Sequence, residues 1–214
     1  MEYLIQPVTA FGANAILVWD EKTSKGAIFD PGGEADRLAS WVEKNGVSLQ
    51  AIYLTHGHID HVGGVAKLKK HFNVPVLIHK NDEELAVQAP QQSLMFGVPM
   101  VEAPPIDHHV VDNQELTLGP LKFRVIHTPG HSKGSVCYYF YDQDPPVLVA
   151  GDLLFAGSIG RMDLPGGDTN EMKGSLERII ELPGETVVLS GHGSHTTIAR
   201  EKRDNPYLAN GLYL

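Results

Sequence analysis

A chain of 214 residues is long enough for one large domain with a substantial core, and its 42% hydrophobic and 20% charged residues are the balance of a folded protein. A formal net charge of −9 disfavours a nucleic-acid surface, which needs a basic footprint, but leaves room for an anionic small molecule held by a few local cations. The single cysteine, Cys137, forbids an internal disulfide and gives no sign of an oxidising compartment.

The opening stretch, MEYLIQPVTAFGANAILVWDEK, has no basic start leading into a long apolar core and is poor in arginine, so neither a signal nor a transit peptide is expected. No apolar run approaches the roughly 20 residues of a membrane span, and the cytoplasm is the expected location. YLIQPVT, ANAILVWD and KGAIFD read as strands, β-branched and aromatic with turn residues between them. DPGG (30–33) is a turn, and EADRLASWVEKNG a helix with Leu38, Trp41 and Val42 as its buried stripe and Asn45-Gly46 as its end. AIYLT (51–55) is a strand, VAKLKKHFN a helix, VPVLIHK a strand, and NDEELAVQ opens a helix capped by Asn81. Residues 97–113 are a loop, ELTLGPLKFRVIHT is a hairpin turning at Gly119-Pro120, and GSVCYYFY and PVLVA are strands. TNEMKGSLERIIEL is a helix, TVVLS a strand, and TIAREKRDNPYL a short helix stopped before Pro206. The order suggests two sheets packed face to face with helices outside.

Residues 55–64, THGHIDHVGG, crowd three histidines and an aspartate into six positions. Apolar runs deliver a metal-capable side chain just past their ends four times: AIYLT before His56, FRVIHTPG before His131, PVLVAG before Asp152, and TVVLSG before His192. Strand ends suit a reactive site because the core fixes the backbone while the loop frees the side chain. In an extended loop His56 and His58 point to one side. Asp60 and His61 open the next helix, where Gly63-Gly64 would keep the first turn slim beside metals. Five imidazoles and two carboxylates are too many for one open ion site, which takes about three protein ligands. They suit two ions sharing a carboxylate. His71, His79, His108, His109 and His127 lack this placement and read as surface or structural residues, and His195 as exposed. Asp30 reads as a turn residue, Cys137 as core, and Tyr138, Tyr139 and Tyr141 as sheet packing.

The pattern resembles the metallo-β-lactamase superfamily, whose T-H-x-H-x-D-H signature matches THGHIDH and is followed in order by a His, an Asp and a His, with DPGG as a further likeness. The resemblance covers nearly the whole chain. It implies one hydrolase domain over 1–214 with an α+β, four-layer αββα sandwich, two mixed sheets with helices on the outer faces. It implies one metal on His56, His58 and His131, a second on Asp60, His61 and His192, and Asp152 bridging them. Zinc is the first expectation, with iron or manganese also compatible with nitrogen and oxygen donors.

GSIGRMDLPGGD (157–168), TPGHSKGSV and REKRDNPYL look like the glyoxalase II (hydroxyacylglutathione hydrolase) group, in its short single-domain bacterial type. The resemblance implies hydrolysis of a small thioester, S-D-lactoylglutathione, to D-lactate and glutathione by a metal-bridging hydroxide that Asp60 and Asp152 orient. Arg161 stands where longer relatives contact glutathione with a cation. The expected tyrosine two residues on is Asp163, and only 22 residues follow His192, which leaves no helical C-terminal domain for that ligand. Asp152, where several antibiotic-hydrolysing members carry cysteine or serine, argues against a β-lactamase, as does the lack of a signal peptide. The alternatives are a persulfide dioxygenase with one iron, a lactonase, and a non-catalytic metal-binding module. No nucleic-acid or membrane partner is expected.

Overall fold

Alternation along the strands decides which side of each sheet a residue serves. Ile16, Val18, Ala27 and Phe29 join one apolar cluster, while their neighbours Ala15, Leu17 and Ile28 join another. In the computed structural model, which describes residues 1–209, the first half of the chain runs β1 (Glu2–Val8), β2 (Ala13–Trp19), β3 (Lys25–Phe29), α1 (Ala35–Lys44), β4 (Ser48–Tyr53), α2 (Ile59–Val62), α3 (Val65–Phe72), β5 (Val76–His79), α4 (Lys80–Val87), α5 (Ala89–Phe96) and β6 (His108–Val110). The second half runs β7 (Glu115–Leu118), β8 (Leu121–His127), β9 (Val136–Phe140), β10 (Val147–Gly151), β11 (Leu154–Phe155), β12 (Ser158–Ile159), α6 (Thr169–Ile180), β13 (Val187–Ser190), β14 (Thr196–Thr197) and α7 (Ile198–Asp204). The last five residues of the expected domain, 210–214, lie outside the described residues.

Strands β1 to β6 form one sheet in sequence order, antiparallel through β3 and parallel from there. The second sheet has the order β14-β13-β10-β9-β8-β7, with only the β10–β13 pair parallel. Both are mixed, as expected. Three apolar layers hold four structural layers together. Phe29, Tyr53, Phe123, Tyr138 and Phe140 fill the space between the sheets. Leu38 and Val42 of α1 and Leu68 of α3 cover the outer face of the first sheet, and Met172, Leu176 and Ile179 of α6 cover that of the second. Phe29 stacks on Tyr53 at 5.3 Å and Phe123 on Phe140 at 4.7 Å, so the inter-sheet layer is largely aromatic. The result is the α+β, four-layer αββα sandwich.

Several local expectations need correction. Helix α4 starts at Lys80, and its cap is His79, whose Nδ1 accepts the Asn81 N–H at 3.3 Å; Asn81 lies inside the first turn. Trp41 is only half-buried, and Ala35, Leu38, Ala39 and Val42 fill the inner face of α1. Residues 97–113 form a loop except for β6. Helix α5 was not expected, because APQQSLMF exposes Leu94 and Met95 and shows no clear 3.6-residue periodicity. Among the described residues no helix is long and apolar enough to cross a membrane.

Candidate metal centre

The seven expected donors meet at one end of the sandwich. His56 and His58 follow β4, Asp60 and His61 lie in α2, and His131, Asp152 and His192 follow β8, β10 and β13. The rings of His56 and His58 are 4.9 Å apart, as two residues on one side of an extended loop should be. Donor atoms of His56, His58 and His131 lie within 4.8 Å of one another, and so do those of Asp60, His61 and His192. Asp152 sits between the trios: Oδ1 is 3.4 Å from His61 Nε2, and Oδ2 is 3.4 Å from His192 Nε2 and 3.6 Å from His131 Nε2.

Residues behind the donors fix which nitrogen faces inward. Asp30 is buried, and its carboxylate accepts the Thr55 N–H (2.7 Å), the Thr55 hydroxyl (2.6 Å) and His61 Nδ1–H (3.0 Å). The Thr55 hydroxyl, having donated to Asp30, accepts from His56 Nδ1 at 3.0 Å. His131 Nδ1 donates to the Arg161 carbonyl at 2.7 Å. In all three rings the proton is held at Nδ1 and the Nε2 lone pair is aimed at the centre, a tautomer assignment set by these acceptors. Asp30, expected as a turn residue, is therefore a support of the centre as well.

A second group ties the donor loops together. Buried Asp82 of α4 accepts the Gly57 N–H (2.9 Å), the Ser132 hydroxyl (2.6 Å) and the Gly134 N–H (2.6 Å), joining the loops of His58 and His131. Gln92 of α5 accepts the Ile59 N–H at 3.0 Å and donates to the Gly57 carbonyl at 3.2 Å. Asn14 of β2 reaches across to donate to the carbonyls of Ser190 and Gly193, both at 2.9 Å, and so anchors the loop of His192. Sequence reasoning missed Asn14, Thr55, Asp82 and Gln92, which are ordinary polar residues until the tertiary fold supplies their partners. The expectation for Gly63-Gly64 is corrected: a Cβ on either would meet the carbonyl of Gly32 or Pro31, so the pair packs α2 against the DPGG turn and does not border the donors.

The centre's electrostatics point to cations. His56 Nε2, His61 Nε2 and Asp152 Oδ1 are buried with no hydrogen-bond partner, although such atoms are costly to leave unpaired. His58 Nδ1 and His131 Nε2 lie 2.8 Å apart, at hydrogen-bond distance. Burial, aided by the neighbouring imidazoles, pushes His58 down to about 3 and His56 well below the usual histidine range. Burial opposes the charge on His61 and His192 too, but the Asp152 and Asp60 carboxylates outweigh it and raise them to about 9 and about 10. Those histidines in turn hold Asp60 and Asp152 below the usual carboxylate range despite burial. Asp60 and Asp152 thus favour positive charge beside His61 and His192, which cations would supply with both rings neutral; with the inward Nε2 of His56 and the orphaned buried atoms, this fits a pair of divalent cations.

A cavity of about 200 Å³ opens on the centre, with Phe11, Phe96 and Leu164 on its walls and Arg161 at its edge. The exposed Arg161 guanidinium makes two 2.7 Å hydrogen bonds to Asp163, so the acid in the expected tyrosine's place partly neutralises it. The remaining histidines stay out of the centre. His71 pairs with Glu43 and His109 with Glu83, His108 and His195 are exposed, and His79 stacks on His127 at 4.3 Å. Cys137 and Tyr138 are core, and the Tyr138 hydroxyl donates to the Leu54 carbonyl beneath His56.

Comparison with known proteins agrees with this geometry. The profile of the Metallo-beta-lactamase superfamily matches residues 8–192. Hydroxyacylglutathione hydrolase GloC of Haemophilus influenzae is 40% identical over 213 residues, 97% of this chain and 98% of that protein. The crystal structure of BLEG-1 B3 metallo-beta-lactamase is 39% identical and superposes with a TM-score of 0.90 over 97% of this chain and 99% of its own. TTHA1623, solved in a di-iron-bound form, is 36% identical, with a TM-score of 0.87 over 96% of this chain and 100% of its own.

Proposed function

The chain belongs to the metallo-beta-lactamase superfamily of metal-dependent hydrolases, and from that premise we propose that it is a single-domain, binuclear thioesterase that cleaves S-D-lactoylglutathione to D-lactate and glutathione. The observation that carries this reading is the pair of donor trios joined by Asp152, with buried lone pairs that nothing in the protein satisfies. Likeness to the Haemophilus hydroxyacylglutathione hydrolase supports the substrate. Zinc is the first candidate for the ions. The di-iron relative makes iron the next, and manganese remains compatible with these donors.

When bound, two such cations supply Lewis acidity that draws a nucleophile from water near neutral pH and polarises the carbonyl. Asp60 and Asp152, kept unprotonated by the surrounding histidines, accept hydrogen bonds from the attacking water and orient it. The anchored Nδ1 protons of His56, His61 and His131 keep each ring in one tautomer throughout. Phe11, Phe96 and Leu164 give the cavity apolar walls. A carbon–oxygen bond forms from water, the carbon–sulfur bond breaks, and the thiol leaves with a proton. Arg161 contacts the anionic thiol portion at the cavity edge. In kinetics with lactoylglutathione, Arg161→Ala is expected to raise KM several-fold with little change in kcat, since a contact outside the reacting atoms contributes uniform binding.

A second reading, β-lactam hydrolysis, has a specific observation behind it, the 39% identity to a protein described as a B3 metallo-beta-lactamase. One experiment separates the readings. Purified protein with its metals quantified is assayed on S-D-lactoylglutathione, on a β-lactam, and on glutathione persulfide with oxygen uptake followed. The proposal expects two metals per chain and thioester cleavage as the fastest reaction. One iron with oxygen consumption, or faster lactam opening, would replace it.

A further inference from the structure

A second cavity, about 170 Å³, adjoins the metal centre between α4, α5 and the 164–165 segment. Leu85, Met95, Phe96, Leu164 and Pro165 line it, and His58 closes it on the side of the centre. It shares His58, Phe96 and Leu164 with the cavity over the metals, so the two adjoin along these three side chains. Among the described residues no Asp, Glu, Lys or Arg lines it. Of its three glutamines, Gln92 is committed to the backbone: besides its bonds to Ile59 and Gly57, it donates to the Leu85 carbonyl at 2.7 Å. Gln88 turns to Glu84 at 3.4 Å, and Gln91 is exposed. Met95 stands 72% exposed at the rim, a flexible apolar side chain beside an apolar channel that starts at a metal-centre histidine.

We propose that this channel binds an unbranched apolar acyl chain, so that the substrate class extends from the lactoyl group to thioesters of several-carbon acyl groups. The inference rests on the thioesterase reading. Its occupant follows from charge. The glutathione portion carries two carboxylates and an ammonium, and the channel offers them no ionic partner. An aliphatic chain needs none and gains from leaving water. With the scissile carbonyl at the metals, the acyl group passes His58 and lies between Phe96 and Leu164, while the thiol portion leaves past Arg161.

The test measures kcat/KM of the metal-loaded enzyme on acetyl-, butyryl- and hexanoyl-glutathione. Binding of the product acids acetate, butyrate and hexanoate is measured in parallel by calorimetry. The expected result is a rise of about fourfold per buried methylene in both series, flattened by Met95→Asp and kept by Met95→Leu. A flat or falling series in the unmodified protein, or a slope that Met95→Asp leaves intact, would overturn the channel assignment. If no thioester is hydrolysed at all, the thioesterase reading fails, and the carboxylate series still decides the channel separately.

Discussion

Asp30 adopts a φ of 49°, a left-handed conformation that costs a non-glycine residue about 1–3 kcal/mol, and it does so while fully buried. What offsets that cost is its carboxylate, which holds Thr55 and, through it, His56, and also His61 directly. Asp30→Ala removes the acceptor that fixes both rings. Metal affinity is expected to weaken about 10- to 100-fold, as read by competition with a chromophoric chelator, with the fold retained by circular dichroism. Unchanged affinity would show that Asp30 only shapes its turn. At this scale the sequence drew attention to His56, His58, Asp60 and His61 because so dense a run of imidazoles has few structural uses, and to His131, Asp152 and His192 because each follows the end of an apolar run. It hid Asp30, Asp82 and Asn14, whose partners lie 25, 50 and 176 residues away in the chain.

Between elements, the centre depends on loops that leave different strands and must hold a common register. Asp82 in α4 joins two of them, and Asp82→Ala would strand the buried Gly57 and Gly134 N–H donors. A loss of about 3 kcal/mol or more in urea unfolding is expected at constant m-value, and a loss under 1 kcal/mol would contradict this role. Gly191, between β13 and His192, is a sharper case. A Cβ there falls onto Asp152 Oδ1, so Gly191→Ala must displace the acid shared by both trios. Activity is expected to drop by about tenfold or more with secondary structure unchanged. Most elements were legible because alternating apolar residues mark strands buried on two faces, as in β9, where Val136, Tyr138 and Phe140 face one layer and Cys137 and Tyr139 the other. Helix α5 was not, because apart from the buried Ala89 its apolar residues line the proposed channel and the surface instead of a core. The misreading of Gly63-Gly64 has a similar origin: sequence proximity to the histidines suggested a metal neighbour, and the close approach is to the DPGG turn.

Across the whole molecule, the two sheets bring both halves of the chain to one rim. His56, His58, Asp60 and His61 come from the first sheet's side, and His131, Asp152 and His192 from the second's. Cations bound there would act as a clasp between the halves and so would stabilise the folded state by mass action. Stripping with a chelator is expected to lower the thermal midpoint, and adding metal back to restore it in a concentration-dependent way. Identical midpoints with and without metal would remove the clasp from the account. The layered architecture was readable from the order of strands and helices, since amphipathic helices flanking doubly buried strands have few other packings. The measurement that tests the central claim most directly is anomalous diffraction from crystals of the metal-loaded protein. Two peaks are expected, one within the His56, His58 and His131 trio and one within the Asp60, His61 and His192 trio, with Asp152 between them. A single peak, or none with thioesterase activity intact, would contradict it.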